Sequence, residues 1–497
     1  MRLTTAFLIL IVAGLQLPAA KRPNILFVMS DDHTLEAIGA YGSWLKDHVH
    51  TPTIDRLAAE GMRFNNTCCN NSICSPSRAS IISGQYSHVT GALNLGCRLQ
   101  ADAPSYIVEL QQSGYSTCVV GKWHMGQWPR GCDHYAVTTG QGSYFNPTLN
   151  YPDKTKKTFE GYYADRYVDE ALLWLKGRDR SKPFYLSLHF KGPHESFDYP
   201  ERWEHLHADE AIPEPFNLHE EIHRTSPLLK GMHFSFMHDD DAPKSYYEKV
   251  RNSLPTAETE AEKRSLAYQH VLHKYIRCVA ALDENLARVI DHLEAEGIKD
   301  ETLIVYTSDQ GYWLGQHGMF DKRLILETSL KMPLIVRYPK EVQAGAVNDR
   351  LAMNIDFGPT MLDFAGVPVP AVMQGRSLRP LLRGEDPADW RKAVFYAYYA
   401  RAPVHWGIRT ERYKLIRFPD HEEMEFYDLK EDPDEMRNLA AEESQQQVIA
   451  ATRRQLDVLM QDVGVTEEFL RTNMKNRKRA PAGSANRPAK GKGRKKK

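Results

Sequence analysis

The chain has 497 residues, 42% of them hydrophobic and 26% charged, which is enough for two or three domains around sizeable cores. A formal net charge of −1 excludes a global attraction to polyanions, so no nucleic acid is expected as a partner. Seven cysteines are an odd number, which excludes complete disulfide pairing within one chain.

At the start, Met1-Arg2 precede the apolar stretch "AFLILIVAGLQL" and a small-residue exit, "PAA". This pattern predicts a secretory signal peptide over residues 1–20, because the stretch is shorter than the ~20 apolar residues of a bilayer-spanning helix. The mature protein is therefore expected to be exported, periplasmic or extracellular.

Four near-continuous apolar runs follow, each ending in a polar cluster. "NILFVMS" (24–30) runs into Asp31-Asp32-His33, and "YSTCVVG" (115–121) into Lys122-Trp123-His124. "PFYLSLHF" (183–190) runs into Lys191-Gly192-Pro193-His194, and "ETLIVYTS" (301–308) into Asp309-Gln310-Gly311. Unbroken apolar runs suit parallel strands buried on both faces. Helical patterns alternate with them at 51–62, 103–114, 163–177 and 275–297, predicting an α/β domain around a mostly parallel sheet flanked by helices. Ligands of such sheets bind beyond the carboxyl ends of the strands, where all four clusters fall. Between the first two runs, "NSICSPSRAS" (71–80) sets Cys74 in a serine-rich turn at the head of a helix. Backbone N–H groups there favour negative charge.

Residues 197–262 lack strong periodicity and read as an insertion of short helices bordering the site. After about residue 383, patterns of antiparallel strands and a terminal helix near 442–461 predict a smaller C-terminal α+β subdomain. The boundaries expected are 21–383 for the catalytic domain, 384–470 for the subdomain and 471–497 for a disordered basic tail. That tail holds twelve Lys/Arg and no Asp or Glu, and is a candidate for contact with polyanions.

Asp31, Asp32, Asp309 and Gln310 are hard oxygen donors suited to Ca²⁺ or Mg²⁺. Arg78, Lys122, His124, His194 and Lys322 add cations and proton carriers. A divalent metal among several cationic side chains fits hydrolysis of an ester with a tetrahedral anionic centre, sulfate or phosphate.

The motifs "CSPSR" (74–78), "GKWHMG" (121–126) and "TSDQGYWLGQHG" (307–318), with the opening "RPNILFVMSDD" (22–32), resemble those of type I, formylglycine-dependent sulfatases. The resemblance runs from about residue 22 to 440 and implies the alkaline-phosphatase-like sandwich. It implies that a maturation enzyme oxidises Cys74 to Cα-formylglycine, whose hydrate attacks sulfur. Asp31, Asp32, Asp309 and Gln310 match the metal ligands, completed by residue 74, with calcium preferred to magnesium. Arg78 matches the residue holding the hydrate, Lys122 and Lys322 the sulfate-binding lysines, and His124 the base acting on the hydrate. His194 matches a sulfate contact and leaving-group acid, and His317 a residue near the substrate mouth. Many relatives carry tyrosine before the glutamate where this chain reads "KRLILE" (322–327), with Leu326. "HWGIRTERYKLIRF" and "EFYDLKEDPDEMRNL" resemble segments of glycan sulfatases such as N-acetylglucosamine-6-sulfatase-like enzymes, implying a sulfated carbohydrate substrate. The alternatives are a phosphoester or phosphonate hydrolase of the same superfamily, and a non-catalytic sulfated-glycan-binding protein whose Cys74 is unmodified and whose basic tail provides the affinity.

Overall fold

The computed structural model describes residues 22–220, 250, 253–400, 403–419 and 423–475; the expected signal peptide and residues 476–497 of the expected tail lie outside them. Ten strands form one sheet, whose five central members are Thr302–Ser308, Asn24–Ser30, Phe184–His189, Ser116–Lys122 and His134–Thr138, all parallel. Four of these five are the apolar runs. Successive residues of a strand face opposite ways, so Ile25, Phe27 and Met29 join one apolar cluster while Leu26 and Val28 join another. The second cluster is closed by helices Tyr163–Gly177 and Glu260–Ala295, the first by Cys74–Ser83, Tyr106–Gln112 and Phe357–Phe364. The expected sandwich is thus present. Antiparallel Leu334–Arg337 and the three-residue strands Met62–Phe64, Ala346–Asn348, Thr148–Asn150 and Lys156–Thr158 extend the sheet at its two edges.

One glycine is needed for close approach. Gly121 has φ 107°, and a Cβ there would stand 2.0 Å from the His189 carbonyl oxygen. Only glycine fits immediately before Lys122.

Part of the expected insertion is helix. Glu260–Ala295 begins at Thr259, whose side chain accepts the Glu262 N–H, and so starts 15 residues before the pattern read at 275. Its first turns bury Ala267, Tyr268, Val271 and Leu272 against Phe197, Ile212 and Leu218 in a third cluster. Among the described residues no helix is long and apolar enough to cross a membrane. All seven cysteines are free thiols.

The C-terminal subdomain is a four-stranded antiparallel sheet, Ala393–Tyr398, His405–Thr410, Tyr413–Phe418 and Glu423–Asp428, against which helix Gln446–Asp462 packs through Ile449, Leu456 and Met460. The tail boundary at residue 471 needs correction. Helix Glu467–Lys475 crosses it, burying Leu470 and Met474, while Glu467 pairs with Arg471 at 2.7 Å and with Arg417 of the sheet at 3.0 Å. Composition places the boundary too early because the first basic residue of the run serves an i,i+4 ion pair.

The subdomain is joined to the main sheet through buried charge. Glu327 meets Arg409 at 3.1 Å and Lys414 at 2.9 Å, and Lys414 also meets Glu435 at 2.6 Å. Glu435 accepts the Glu327 N–H at 2.7 Å. Leu326, the departure from the family pattern, is buried in the main core.

Candidate active site

Register brings the strand ends together. Ser30 pairs with Ser308, so Asp31-Asp32 and Asp309-Gln310 emerge side by side. The Asp309 N–H then reaches the Ser30 carbonyl at 3.2 Å, as the Asp31 N–H reaches that of Gly192 at 3.1 Å. The Asp32 N–H donates to Asp309 Oδ1 at 3.2 Å, with Asp32 held at φ 65°. One oxygen from each of Asp31, Asp32 and Asp309 lies within 4.8 Å of the others, all three residues being fully buried.

Cys74 enters from the opposite cluster. Expected in a serine-rich turn at the head of a helix, it is the first residue of helix Cys74–Ser83, all ten residues of which are buried, and its own exposure is 1%. A helix this rich in serine and arginine tolerates burial because its polar groups are bonded. Ser75 Oγ donates to the His124 carbonyl at 2.7 Å, Ser77 Oγ donates to the Asp309 carbonyl, and Ser83 Oγ donates to Ala79 O at 2.7 Å. Arg78 donates from Nε to Asp309 Oδ2 at 3.0 Å and from Nη1 to the Lys122 carbonyl at 2.7 Å, and its Nη2 lies 3.3 Å from Asp31. No side chain caps the helix start. Cys74 Sγ lies 3.3 Å from Asp31 Oδ1 and 3.7 Å from Gln310 Nε2.

The cations close the cluster. Lys122 contacts Asp31 and Gln141, and Lys322 contacts Asp32. His194 Nε2 lies 3.7 Å from Asp32, with Nδ1 2.7 Å from the Glu195 carbonyl oxygen. Burial pushes Asp32 up to about 6, with Lys322 opposing the shift and Asp309 adding to it. Burial works against the Lys322 ammonium, yet Asp32, Cys74 and Asp321 hold its pKa above the usual lysine range. Burial and the charges of Lys122 and Arg78 drive His124 down to about 2, and burial with Lys122 and Lys322 keeps His194 well below 6.5. Burial pushes the Cys74 thiol up to about 12.

A hard cation suits this donor set. Gln310 Nε2 donates to Asp32, but its Oε1 is buried without a hydrogen-bond partner among the described residues. An unclaimed carbonyl oxygen beside three crowded carboxylates is what Ca²⁺ or Mg²⁺ ligation would satisfy.

Asp31, Asp32, Cys74, Arg78, Lys122, His194, Asp309, Gln310 and Lys322 are thus linked by direct contacts, and His124 joins them through its carbonyl. His317 stands apart. Its Nε2 hydrogen-bonds the Asp434 carbonyl at 2.8 Å, tying it to the C-terminal segment. Missed among the site residues were Lys191, buried beside the cluster, and Gln141 and Tyr144 on the loop beyond His134–Thr138. For Lys191 the signal was its place in the same strand-end run as His194. The loop residues follow a strand whose sequence carries no polar cluster.

Comparison with known proteins agrees with this architecture. A family model described as Sulfatase matches residues 23–367, and one described as N-sulphoglucosamine sulphohydrolase, C-terminal, matches residues 315–462. An N-acetylglucosamine-6-O-sulfatase of Bacteroides thetaiotaomicron is 39% identical over 473 residues, covering 86% of this chain and 84% of the relative. An arylsulfatase of Clostridium perfringens is 24% identical, covering 90% of this chain and 95% of the relative. A solved structure of a protein in complex with its substrate, D-glucosamine-2-N,6-O-disulfate, superposes with a TM-score of 0.84 at 35% identity, covering 90% of this chain and 99% of that one. A phosphonate monoester hydrolase from Silicibacter pomeroyi shares the fold, with a TM-score of 0.71 at 23% identity over 88% of this chain and 95% of that one.

Proposed function

Because the chain belongs to the sulfatase family, we propose that it hydrolyses a sulfate ester on a sulfated glycan, with a nucleophile formed by oxidation of Cys74 to Cα-formylglycine. The observation that carries the reading is the convergence on one helix N-terminus of Asp31, Asp32 and Asp309, together with the unclaimed Gln310 oxygen. The glycan substrate is supported by the relative named N-acetylglucosamine-6-O-sulfatase and by the neighbour bound to a glucosamine disulfate.

Asp31, Asp32, Asp309, Gln310 and residue 74 would hold a hard divalent ion, for which the family resemblance favours calcium over magnesium. The ion would supply Lewis-acid stabilisation of charge developing on the sulfuryl oxygens. The matured residue 74 would supply a geminal diol, whose second hydroxyl allows release of sulfate without attack by water on sulfur. As an unmodified, buried thiol with its pKa raised, the same residue would be largely protonated and weakly nucleophilic.

The remaining roles follow from contacts. Arg78, fixed by Asp309 and the Lys122 carbonyl, orients residue 74 from within its own helix. Lys122 and Lys322 face the anionic group of the substrate, where fixed charges in a dry site stabilise the transition state. His194 has Nδ1 against the Glu195 carbonyl, which leaves Nε2 free on the site side. Burial, Lys122 and Lys322 disfavour its protonation, and the anionic ester would offset them, letting Nε2 carry a proton to the departing alcohol oxygen. The resemblance gives His124 the role of base toward the diol; burial and the neighbouring cations disfavour its protonation, so that role would need the anionic substrate to offset them.

Mass spectrometry of the peptide containing Cys74, from protein made by a host with the maturation enzyme, tests the reading. An aldehyde at residue 74 is expected, with turnover of a small aryl sulfate far exceeding that of the matched phosphate ester. Full turnover by protein whose Cys74 is entirely thiol would overturn the mechanism, and a preference for the phosphate ester would favour the phosphohydrolase alternative.

A further inference from the structure

The buried cations of the site are not equivalent. Lys122 is paired with Asp31, Lys322 with Asp32, and Arg78 with both Asp309 and Asp31. Lys191 is equally buried, at 4% exposure, two residues beyond Phe184–His189. Among the described residues it has no carboxylate partner. Its ammonium instead lies 4.6 Å from the centre of the Tyr144 ring. That ring is itself fixed, since the Tyr144 hydroxyl donates to the His194 carbonyl, and the His194 N–H returns to the Lys191 carbonyl at 3.4 Å. Burial lowers its pKa from the usual lysine value, with Cys278, Asp32, Cys74 and Asp198 opposing the shift, and it acts in turn on Lys122 and His194.

An ammonium in a residue this buried, set on an aromatic face with the carboxylates of Asp32, Asp198 and Glu195 near but none paired with it, is incompletely satisfied. Cation–π attraction offsets part of the cost of burial, and an opposite charge is needed for the rest. The opposite charge can arrive with the substrate. We propose that Lys191 is a third substrate-binding lysine, its ammonium contacting the sulfuryl oxygens of the bound ester alongside Lys122 and Lys322. The assignment rests on reading the site as a sulfate-ester hydrolase. Tyr144 positions it, linking the lysine to the turn that carries His194.

Calorimetric titration with inorganic sulfate, run on the wild type, Lys191→Met and Lys191→Arg, tests the assignment alongside steady-state kinetics on a small aryl sulfate and thermal melts. Methionine keeps an unbranched stem over Tyr144 and removes only the charge. Lys191→Met should weaken sulfate binding and raise KM by about tenfold to a hundredfold, the range for a hydrogen bond to a charged group. Lys191→Arg should recover most of both. The melting temperature of Lys191→Met should hold or rise, since an unpaired buried charge has gone. Unchanged sulfate affinity, absence of sulfate binding by the wild type, or a loss confined to kcat would each overturn the proposal, the last by making the lysine a proton carrier. If the wild type binds sulfate, Lys191→Met binds it more weakly, and no sulfate ester is turned over, the lysine assignment stands and the hydrolase reading falls. If sulfate esters are turned over and Lys191→Met matches the wild type throughout, the hydrolase reading stands and the lysine assignment falls.

Discussion

The buried ionic clusters at the joint with the C-terminal sheet and at the strand ends differ in how completely they are satisfied. At the joint with the C-terminal sheet, Glu327, Arg409, Lys414 and Glu435 are cross-paired, and Glu435 also accepts a backbone N–H. Burial raises the Glu327 carboxyl, but Arg409 and Lys414 outweigh it and hold the group well below 4.5. At the strand ends, three carboxylates crowd together, and among the described residues Gln310 Oε1 and His124 Nδ1 lack hydrogen-bond partners and Lys191 makes no ion pair with a carboxylate. The first cluster is closed, so its charges hold one surface to another. The second is open, and buried polar groups that stay open call for an external partner.

The largest effect that could break this contrast is on activity. Removing divalent ions with a chelator should abolish turnover and lower the melting temperature, and added Ca²⁺ should restore both. An ion at a hundred times its dissociation constant stabilises the native state by about 2.7 kcal/mol. Undiminished turnover in verified metal-free protein would show that the open cluster needs no ion.

The closed cluster should respond in the opposite way. Glu327→Ala leaves Arg409 and Lys414 buried without their shared carboxylate, and breaking such a pair costs about 3–5 kcal/mol. Denaturant unfolding should show this loss, while kcat of the folded enzyme on a small aryl sulfate should change far less than stability does. A catalytic collapse in a variant of unchanged stability would move Glu327 from the joint to the site.

The smallest effect concerns the chain end. Deleting residues 476–497 should leave kcat on a small aryl sulfate within about twofold, as expected for residues beyond the last packed helix. If the deleted segment tethers the enzyme to sulfated polymer, KM on polymer alone should rise, and the rise should shrink with salt. Cutting at residue 471 instead removes Met474 and the Arg471–Glu467 pair, and should lower the melting temperature.

Much of the fold was legible because parallel strands buried on both faces write themselves as apolar runs, and the chemistry follows where those runs stop. The edge strands were not legible, since three residues carry no period. The first turns of Glu260–Ala295 were hidden because the surface they cover is an irregular segment with no pattern of its own. Asp31, Asp32, Asp309 and Gln310 stood out as carboxylates and an amide at two strand ends. Lys191 stood in the same kind of position, but its distinction is the lack of a partner, and pairing is a property of three-dimensional neighbours. The cluster around Glu327 draws its cations from more than 80 residues downstream for the same reason. Cys74 was recognised by its motif and misjudged in its surroundings, because a helix of serines and an arginine reads as solvent-facing until its hydrogen-bond acceptors are known.

The burial of Cys74–Ser83 sets an order of events in the life of the protein. With residue 74 at 1% exposure in a wholly buried helix, a second protein has no route to it once the chain has collapsed. An enzyme that oxidised this residue, as proposed above, would therefore have to win a race against folding, working on an extended segment. If the nucleophile is the oxidised residue proposed above, the yield of competent molecules would be set by a ratio of rates and would be permanent for each copy. Faster folding, ordinarily an advantage, would in that case enlarge the fraction that is correctly shaped but carries an unmodified thiol.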